Sequence, residues 1–106
     1  MAIFLTRAHV EAGLEALKRI KQGLEPSPAD LENAPLLDLW TVHDAGRGVV
    51  YLAGSVSGHP TLDDGHCTTS PLLYMPTDRT WARTVSRYYR LGKSLSQAFA
   101  QSRATH

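Results

Sequence analysis

A chain of 106 residues, 42% hydrophobic and 20% charged, can bury one modest core and has the composition of an ordinary soluble globular protein, which excludes disordered and fibrous classes. No apolar run approaches the roughly 20 residues that span a bilayer, and the opening MAIFLTRAHVEAG lacks the basic segment of a secretory signal. We therefore predict a single domain over residues 1–106, located in the cytoplasm, where a lone cysteine stays reduced.

Two helices are predicted in the N-terminal third. Between Thr6, the predicted N-cap, and Gly23, the predicted stop, apolar residues recur every three or four positions, as in a helix packed by one face. Gly13 inside this helix marks either a close approach of another backbone or a glycine that the helix accepts without a packing reason. The segment SPADLENAP predicts a second, short helix over residues 27–34, capped by Ser27. The apolar stripe of the first helix is Val10, Leu14, Leu17, Ile20 and Leu24.

The periodicity then changes to that of strands. The stretch LLDLWTVHDAGRGVVYLAGSVSG predicts two strands joined at DAGRG, and TLDDG predicts a hairpin turn at Asp64 and Gly65. A third strand follows in HCTTSPLLYM, where Pro71 indicates an edge position or a bulge because proline has no amide donor. The tail SLSQAFAQSRATH predicts a last short helix.

The segment TDRTWARTVSRYYRLG is ambiguous from its residues alone. The spacing of its arginines and apolar residues favours a helix, whereas its β-branched and aromatic content favours a strand. Both alternatives stay open at this point.

A resemblance bears on this segment. Residues 54–92, GSVSGHPTLDDGHCTTSPLLYMPTDRTWARTVSRYYRLG, resemble a family of short uncharacterised bacterial proteins. The resemblance implies a strand over residues 81–91 and an origin in plasmid, prophage or other mobile surroundings, and it implies no activity. The elements that carry it are Gly-x-Val-x-Gly-His-Pro (54–60), Asp-Gly (64–65), Thr-Ser (69–70), Trp-Ala-Arg-Thr (81–84) and Tyr-Arg-Leu-Gly (89–92).

Taken together, these elements predict an α+β fold. N-terminal helices pack on a roughly four-stranded antiparallel meander, and a short helix ends the chain.

The net charge of +1 is unevenly distributed along the chain. Residues 1–23, 24–78 and 79–106 carry net charges of +2, −7 and +6. Such segregation predicts either internal pairing of the basic end with the acidic middle, or two faces of opposite sign for a partner.

The stretch around the predicted hairpin turn holds groups that ligate metals. A zinc site could use His59, Asp63 or Asp64, His66 and Cys67, but the spacing matches no familiar zinc pattern. Adjacent residues of a strand also point to opposite faces, which keeps His66 and Cys67 apart. We therefore expect no metal and no cofactor. His59, which precedes a proline, is expected to fix the strand end, with its ring bonding a turn amide or carboxylate.

Nucleophilic catalysis could use Cys67 or Ser70 with His59 or His66 as the base. No glycine-rich elbow surrounds Ser70, and a lone strand cysteine is more often a small buried hydrophobe. We therefore expect no catalytic residues and no enzyme.

Two charged surfaces are the candidate binding sites. The basic residues alternate with Trp81, Tyr88 and Tyr89, a combination that suits nucleic acids, acidic proteins, or a plain core covered by arginine stems. The basic set is Arg79, Arg83, Arg87, Arg90 and Lys93, and the acidic set is Asp38, Asp44, Asp63 and Asp64.

We expect a small non-catalytic accessory protein that binds a macromolecular partner, first of all a protein complex, with no membrane partner. Because of the mobile-element resemblance, one concrete form is an anti-CRISPR-like inhibitor of a host defence complex, whose acidic set imitates phosphate. The alternative is a nucleic-acid-binding regulator that uses residues 79–93. A metal or hydrolase site at residues 59–70 is the third hypothesis.

Overall fold

A computed structural model describes residues 5–104 and shows an α+β fold in which the described chain forms three helices and one six-stranded sheet. The predicted fold class is confirmed. Thr105 and His106, which the predicted last helix included, lie outside the described residues. No helix within the described range is long and apolar enough to cross a membrane. The helices are α1 (Arg7–Lys21), α2 (Pro28–Glu32) and α3 (Leu95–Ala104), and the strands are β1 (Leu36–Gly46), β2 (Val49–Ser57), β3 (Gly65–Thr68), β4 (Leu72–Tyr74), β5 (Trp81–Thr84) and β6 (Tyr88–Leu91).

The sheet is mixed, and this corrects the predicted four-stranded antiparallel meander. Its strand order is β3-β2-β1-β6-β5-β4, and β1 pairs with β6 in parallel while the other pairs are antiparallel. Two local breaks raise the strand number. The predicted third strand is interrupted at residues 69–71, and residues 81–91 form two strands that turn at residues 85–87 instead of a single one.

The sheet is strongly curled. Its two edges are β3 and β4, yet only residues 69–71 separate these strands along the chain. That connection reaches at most about 14 Å, whereas the edges of a flat six-stranded sheet would lie roughly 24 Å apart. The edges β3 and β4 therefore approach each other. The Thr69 N–H donates to the Leu52 carbonyl at 2.8 Å, which extends the pairing of β3 with β2 into the connection.

The main core fills the concave side of this curled sheet. Each of its members comes from a strand and is at most 9% exposed, and Leu72 and Met75 pack against them. The members are Leu37, Trp40, Leu52, Val56, Cys67, Ala82, Tyr89 and Leu91.

Helix α1 has the predicted ends but buries a different face. Thr6 caps it, with its side chain accepting from the His9 amide, and Gly23 follows the helix in the left-handed conformation. The buried positions are Gly13, Ala16 and Ile20. The predicted stripe is right for Ile20 and wrong for Val10, Leu14 and Leu24, which are 40%, 57% and 68% exposed. At Gly13 the helix lies so close to Val85 and Leu73 that no larger side chain fits between them.

The β5–β6 hairpin presents a second set of side chains on the opposite, convex face. Ala82 pairs with Tyr89 and both point into the core, so their neighbours Arg83 and Tyr88 face outward as a pair. Helices α1 and α2 cover this face, where Ile20, Ala34 and Tyr88 form a smaller cluster with Trp81 packed against it. This hairpin surface beneath the helices holds the candidate site.

Candidate functional site

Arg83 lies half-buried on the convex face with its charge largely unpaired. Its guanidinium carbon lies 4.9 Å from the centre of the Tyr88 ring, a cation–π contact. Its Nε atom is buried and has no hydrogen-bond partner among the described residues. Burial lowers the pKa of Arg83, and the electrostatic influence of Tyr88, Glu25 and Asp30 partly offsets this.

The ring under Arg83 is itself fixed from the helical side. The Tyr88 hydroxyl donates to Glu25 Oε2 at 2.6 Å, and Arg19 pairs with the other oxygen of Glu25 at 3.3 Å. Burial, together with the Glu25 contact, raises the pKa of Tyr88, so the phenol stays neutral. The platform that orients Arg83 is therefore a bonded network that reaches from β6 to α1.

Arg87, in the β5–β6 turn, lies beside Arg83 in one cleft of about 320 Å³, which we call the arginine cleft. That volume is at the lower end for ligand sites and suits a side chain or a small anion. The ion pairs found within residues 5–104 involve Arg7 and Arg19 with glutamates, so neither guanidinium of the cleft has a carboxylate at ion-pair distance. The lining is Ala29, Asp30, Asn33, Ala34, Pro35, Pro60, Arg83, Ser86, Arg87 and Tyr88.

The other members of the predicted basic set do not line the arginine cleft. Arg90 is exposed and donates from Nε to the Ala34 carbonyl at 3.0 Å, next to the cleft wall. Arg79 lies over the Trp40 ring at 5.8 Å, and Lys93 is exposed after β6. The structure thus brings two of the five basic residues together.

Three of the four carboxylates of the predicted acidic set accept a backbone N–H. Asp38 accepts from the Lys93 amide at 2.9 Å, Asp44 from the Gly46 amide at 2.7 Å, and Asp64 from the Gly58 amide at 3.1 Å. Asp63 is exposed in the β2–β3 connection.

The predicted turn at Asp64 and Gly65 is a longer connection. Residues 58–64 join β2 to β3, and Gly65 already belongs to β3. His59 bonds turn amides as predicted, because its Nδ1 accepts from the N–H groups of Thr61 and Leu62, each at 3.1 Å.

The residues of the metal hypothesis point in different directions. The His59 ring lies 6.3 Å from the Tyr89 ring. His66 lines a separate groove over β1, β2 and β3, together with His43. Within residues 5–104 no group of three or more potential ligands comes together. Cys67 is 1% exposed. Burial raises the pKa of its thiol more than the hydrogen bond with Tyr89 lowers it, so the thiol stays protonated.

Ser70 is also placed in a structural role. Its Oγ lies 2.9 Å from Ser86 Oγ and accepts from the Ser86 amide at 3.2 Å, which ties the β3–β4 connection to the β5–β6 turn. Its bonded partner is therefore another hydroxyl, and no histidine hydrogen-bonds to it among the described residues.

Sequence reasoning found Arg83 and Arg87 but missed the walls of their cleft. Asp30 and Asn33 come from α2 and Pro60 from the β2–β3 connection, each distant in sequence from the hairpin. The Ser27–Asp30 capping signal placed α2 correctly, and no local signal shows what that helix packs against.

Residues 3–104 match the model of a family described as a family of unknown function (DUF6634). The chain belongs to this family. The match covers nearly the whole chain. It is consistent with the likeness to an uncharacterised family that residues 54–92 carry. No curated protein and no solved structure matches the chain. Membership in DUF6634 supplies no activity, so the function is argued from the cleft.

Proposed function

We propose that this protein is a small non-catalytic accessory protein that binds a protein partner, and that the arginine cleft receives an acidic side chain of that partner. The observation that carries the proposal is that the half-buried residues Arg83 and Arg87 share one cleft and form no ion pair within residues 5–104. The one carboxylate in the lining, that of Asp30, accepts instead from the Ser27 amide at 2.9 Å. A buried charge is costly to leave unpaired, and the planar fork of arginine matches a carboxylate. A partner's aspartate or glutamate would supply the missing bonds.

The burial of the aromatic residues favours a protein over a nucleic acid. Proteins that hold single strands stack bases on accessible rings. Here Tyr88 and Tyr89 are 8% and 2% exposed, and Trp81 is already stacked against Tyr74 at 5.6 Å. The rings that alternate with the arginines are therefore occupied within the fold, which weakens the case for a nucleic-acid-binding regulator.

A host defence complex is one candidate for the partner. This part of the hypothesis rests on the resemblance to proteins of mobile elements and is anti-CRISPR-like in form. In the simplest version the acidic set would imitate phosphate. Because Asp38, Asp44 and Asp64 each accept a backbone N–H, we place the main contact at the arginine cleft instead.

The test is selection from a random peptide library displayed on phage, followed by affinity measurement with synthetic peptides. We expect the native protein to enrich peptides that carry a recurring aspartate or glutamate. A charge-assisted hydrogen bond contributes about 1.5–3 kcal/mol, so Arg87→Gln should weaken the selected peptide by roughly 10- to 100-fold. Arg47→Gln is the matched control, because Arg47 is exposed in the β1–β2 turn, away from the cleft.

Other outcomes would contradict the proposal. Peptides without an acidic position, or equal losses in the two variants, would exclude the arginine cleft as the site. Binding of a random single-stranded oligonucleotide that falls steeply with salt and requires Arg83 and Arg87 would favour the nucleic-acid alternative.

A further inference from the structure

The connection between β2 and β3 is held closed by its own side chains. Gly58 leaves β2 in the left-handed conformation, and its amide donates to Asp64 Oδ1 at 3.1 Å across the base of the loop. His59 Nδ1 accepts from the Thr61 and Leu62 amides, and the Thr61 hydroxyl lies 3.4 Å from the same atom. One ring nitrogen therefore anchors most of the loop's internal bonding.

The same loop forms part of the arginine cleft. Pro60 lies in the chain between His59 and the amides that His59 binds, and it lines the cleft together with residues of α2. His59 also lies close enough to Arg87 for the guanidinium charge to act on its ring. The loop conformation and the shape of the cleft are thus linked through two adjacent residues.

We propose that His59 is a proton-sensitive clamp that holds one wall of the arginine cleft in its binding-competent position. An unprotonated Nδ1 accepts the two amides and keeps Pro60 in the cleft wall. A proton on Nδ1 turns the acceptor into a donor, so both amide bonds are lost and the loop opens. This regulation rests on the proposed function, because it acts on the same binding site.

The groups that face His59 set the direction of the switch. Burial, and then the charge of Arg87 from the β5–β6 turn, lower the pKa of His59 from 6.5. From β6, Tyr89 stays neutral because burial raises its pKa, and its partner Cys67 in β3 is neutral for the same reason. Asp63 and Asp64 are the acidic groups of the loop itself, and Asp64 is bonded to the Gly58 amide. The loop is therefore closed at neutral pH and opens only at a pH below the ordinary pKa of a histidine.

The clamp can be measured without any ligand. Amide hydrogen exchange by NMR gives protection factors for Thr61 and Leu62 at pH 7.5 and pH 5.0. We expect protection at pH 7.5 that is largely lost at pH 5.0. His59→Asn is the matched variant, since an asparagine oxygen accepts the amide two residues on and does not titrate. It should protect both amides at both pH values, whereas His59→Ala should protect them at neither.

The effect on binding is measured with an acidic peptide selected on the native protein. Between pH 7.5 and 5.0 its affinity should fall several-fold more for the native protein than for His59→Asn, because loss of the Pro60 wall outweighs the screened attraction of the new imidazolium charge. Equal amide protection at the two pH values, or an equal pH dependence of binding in the two proteins, would overturn the clamp. Failure to select any acidic peptide would instead overturn the proposed function, since the exchange experiment needs no ligand.

Discussion

Replacing Gly13 by alanine should destabilise this protein, although alanine is the better helix former. Gly13 lies in the middle of α1, where the helix crosses the turn between β5 and β6. A Cβ atom at this position would lie 2.7 Å from the Val85 carbonyl oxygen, 3.1 Å from Leu73 Cδ1 and 3.2 Å from Val85 Cα. The close approach of another backbone, one of the two explanations that the sequence left open, is therefore the one that the structure supports.

Two opposing terms set the expected magnitude. Alanine in a helix interior gains about 1 kcal/mol over glycine. Inserting a methyl group into a filled contact costs roughly 1–3 kcal/mol. The upper part of that range applies here, because the obstructing atom is a backbone oxygen and the Val85 amide is held by the Pro71 carbonyl at 2.9 Å. The net expected loss is about 1–2 kcal/mol.

Urea unfolding followed by circular dichroism measures this difference. The midpoint should fall while the slope with denaturant stays constant, since the surface exposed on unfolding is unchanged. Ala12→Gly is the matched control, because Ala12 is the exposed neighbour of Gly13 in the same helix. It measures the difference in helix propensity between alanine and glycine alone, and its free energy of unfolding should fall by about 1 kcal/mol. If Gly13→Ala were as stable as the native protein or more so, the close packing of α1 against the turn would be refuted.

Three further predictions concern Tyr88, Cys67 and His59. Tyr88→Phe should lose about 1–2 kcal/mol in urea unfolding, because the half-buried Glu25 loses a hydrogen bond, whereas Tyr74→Phe, at an exposed position, should change stability by less than about 0.5 kcal/mol. Cys67 should react with a thiol reagent only as fast as the protein unfolds, and rapid labelling of the native state would contradict its burial. The pKa of His59 is 6.5 in the unfolded chain and lower in the folded chain, so its contribution to stability is present above pH 6.5 and is lost as the pH falls. The free energy of unfolding should therefore decrease between pH 7.5 and pH 5.0, and it should decrease less in His59→Asn.

The sequence by itself determined the elements whose signals are local. Thr6 and Ser27 cap their helices as predicted, because a side chain that bonds an amide three residues ahead needs nothing from the rest of the fold. The turn bonds of His59 were predictable for the same reason. The arginines of the site were also recognisable, since charge interleaved with aromatic residues is visible in the chain itself.

Only the tertiary structure decided which faces and edges meet. Leu14 was expected in the core and is exposed, because the helix turns the face of Gly13 toward Val85 and Leu73 instead. Leu24 is exposed because α1 ends at Lys21, before it. The parallel pairing of β1 with β6 and the curl that joins β3 to β4 depend on contacts between distant segments. The arginine cleft depends on the same contacts, since its walls come from α2, the β2–β3 connection and the β5–β6 turn. Local sequence patterns set the conformation of each segment, whereas the packing of segments that are distant in the chain brings their side chains together.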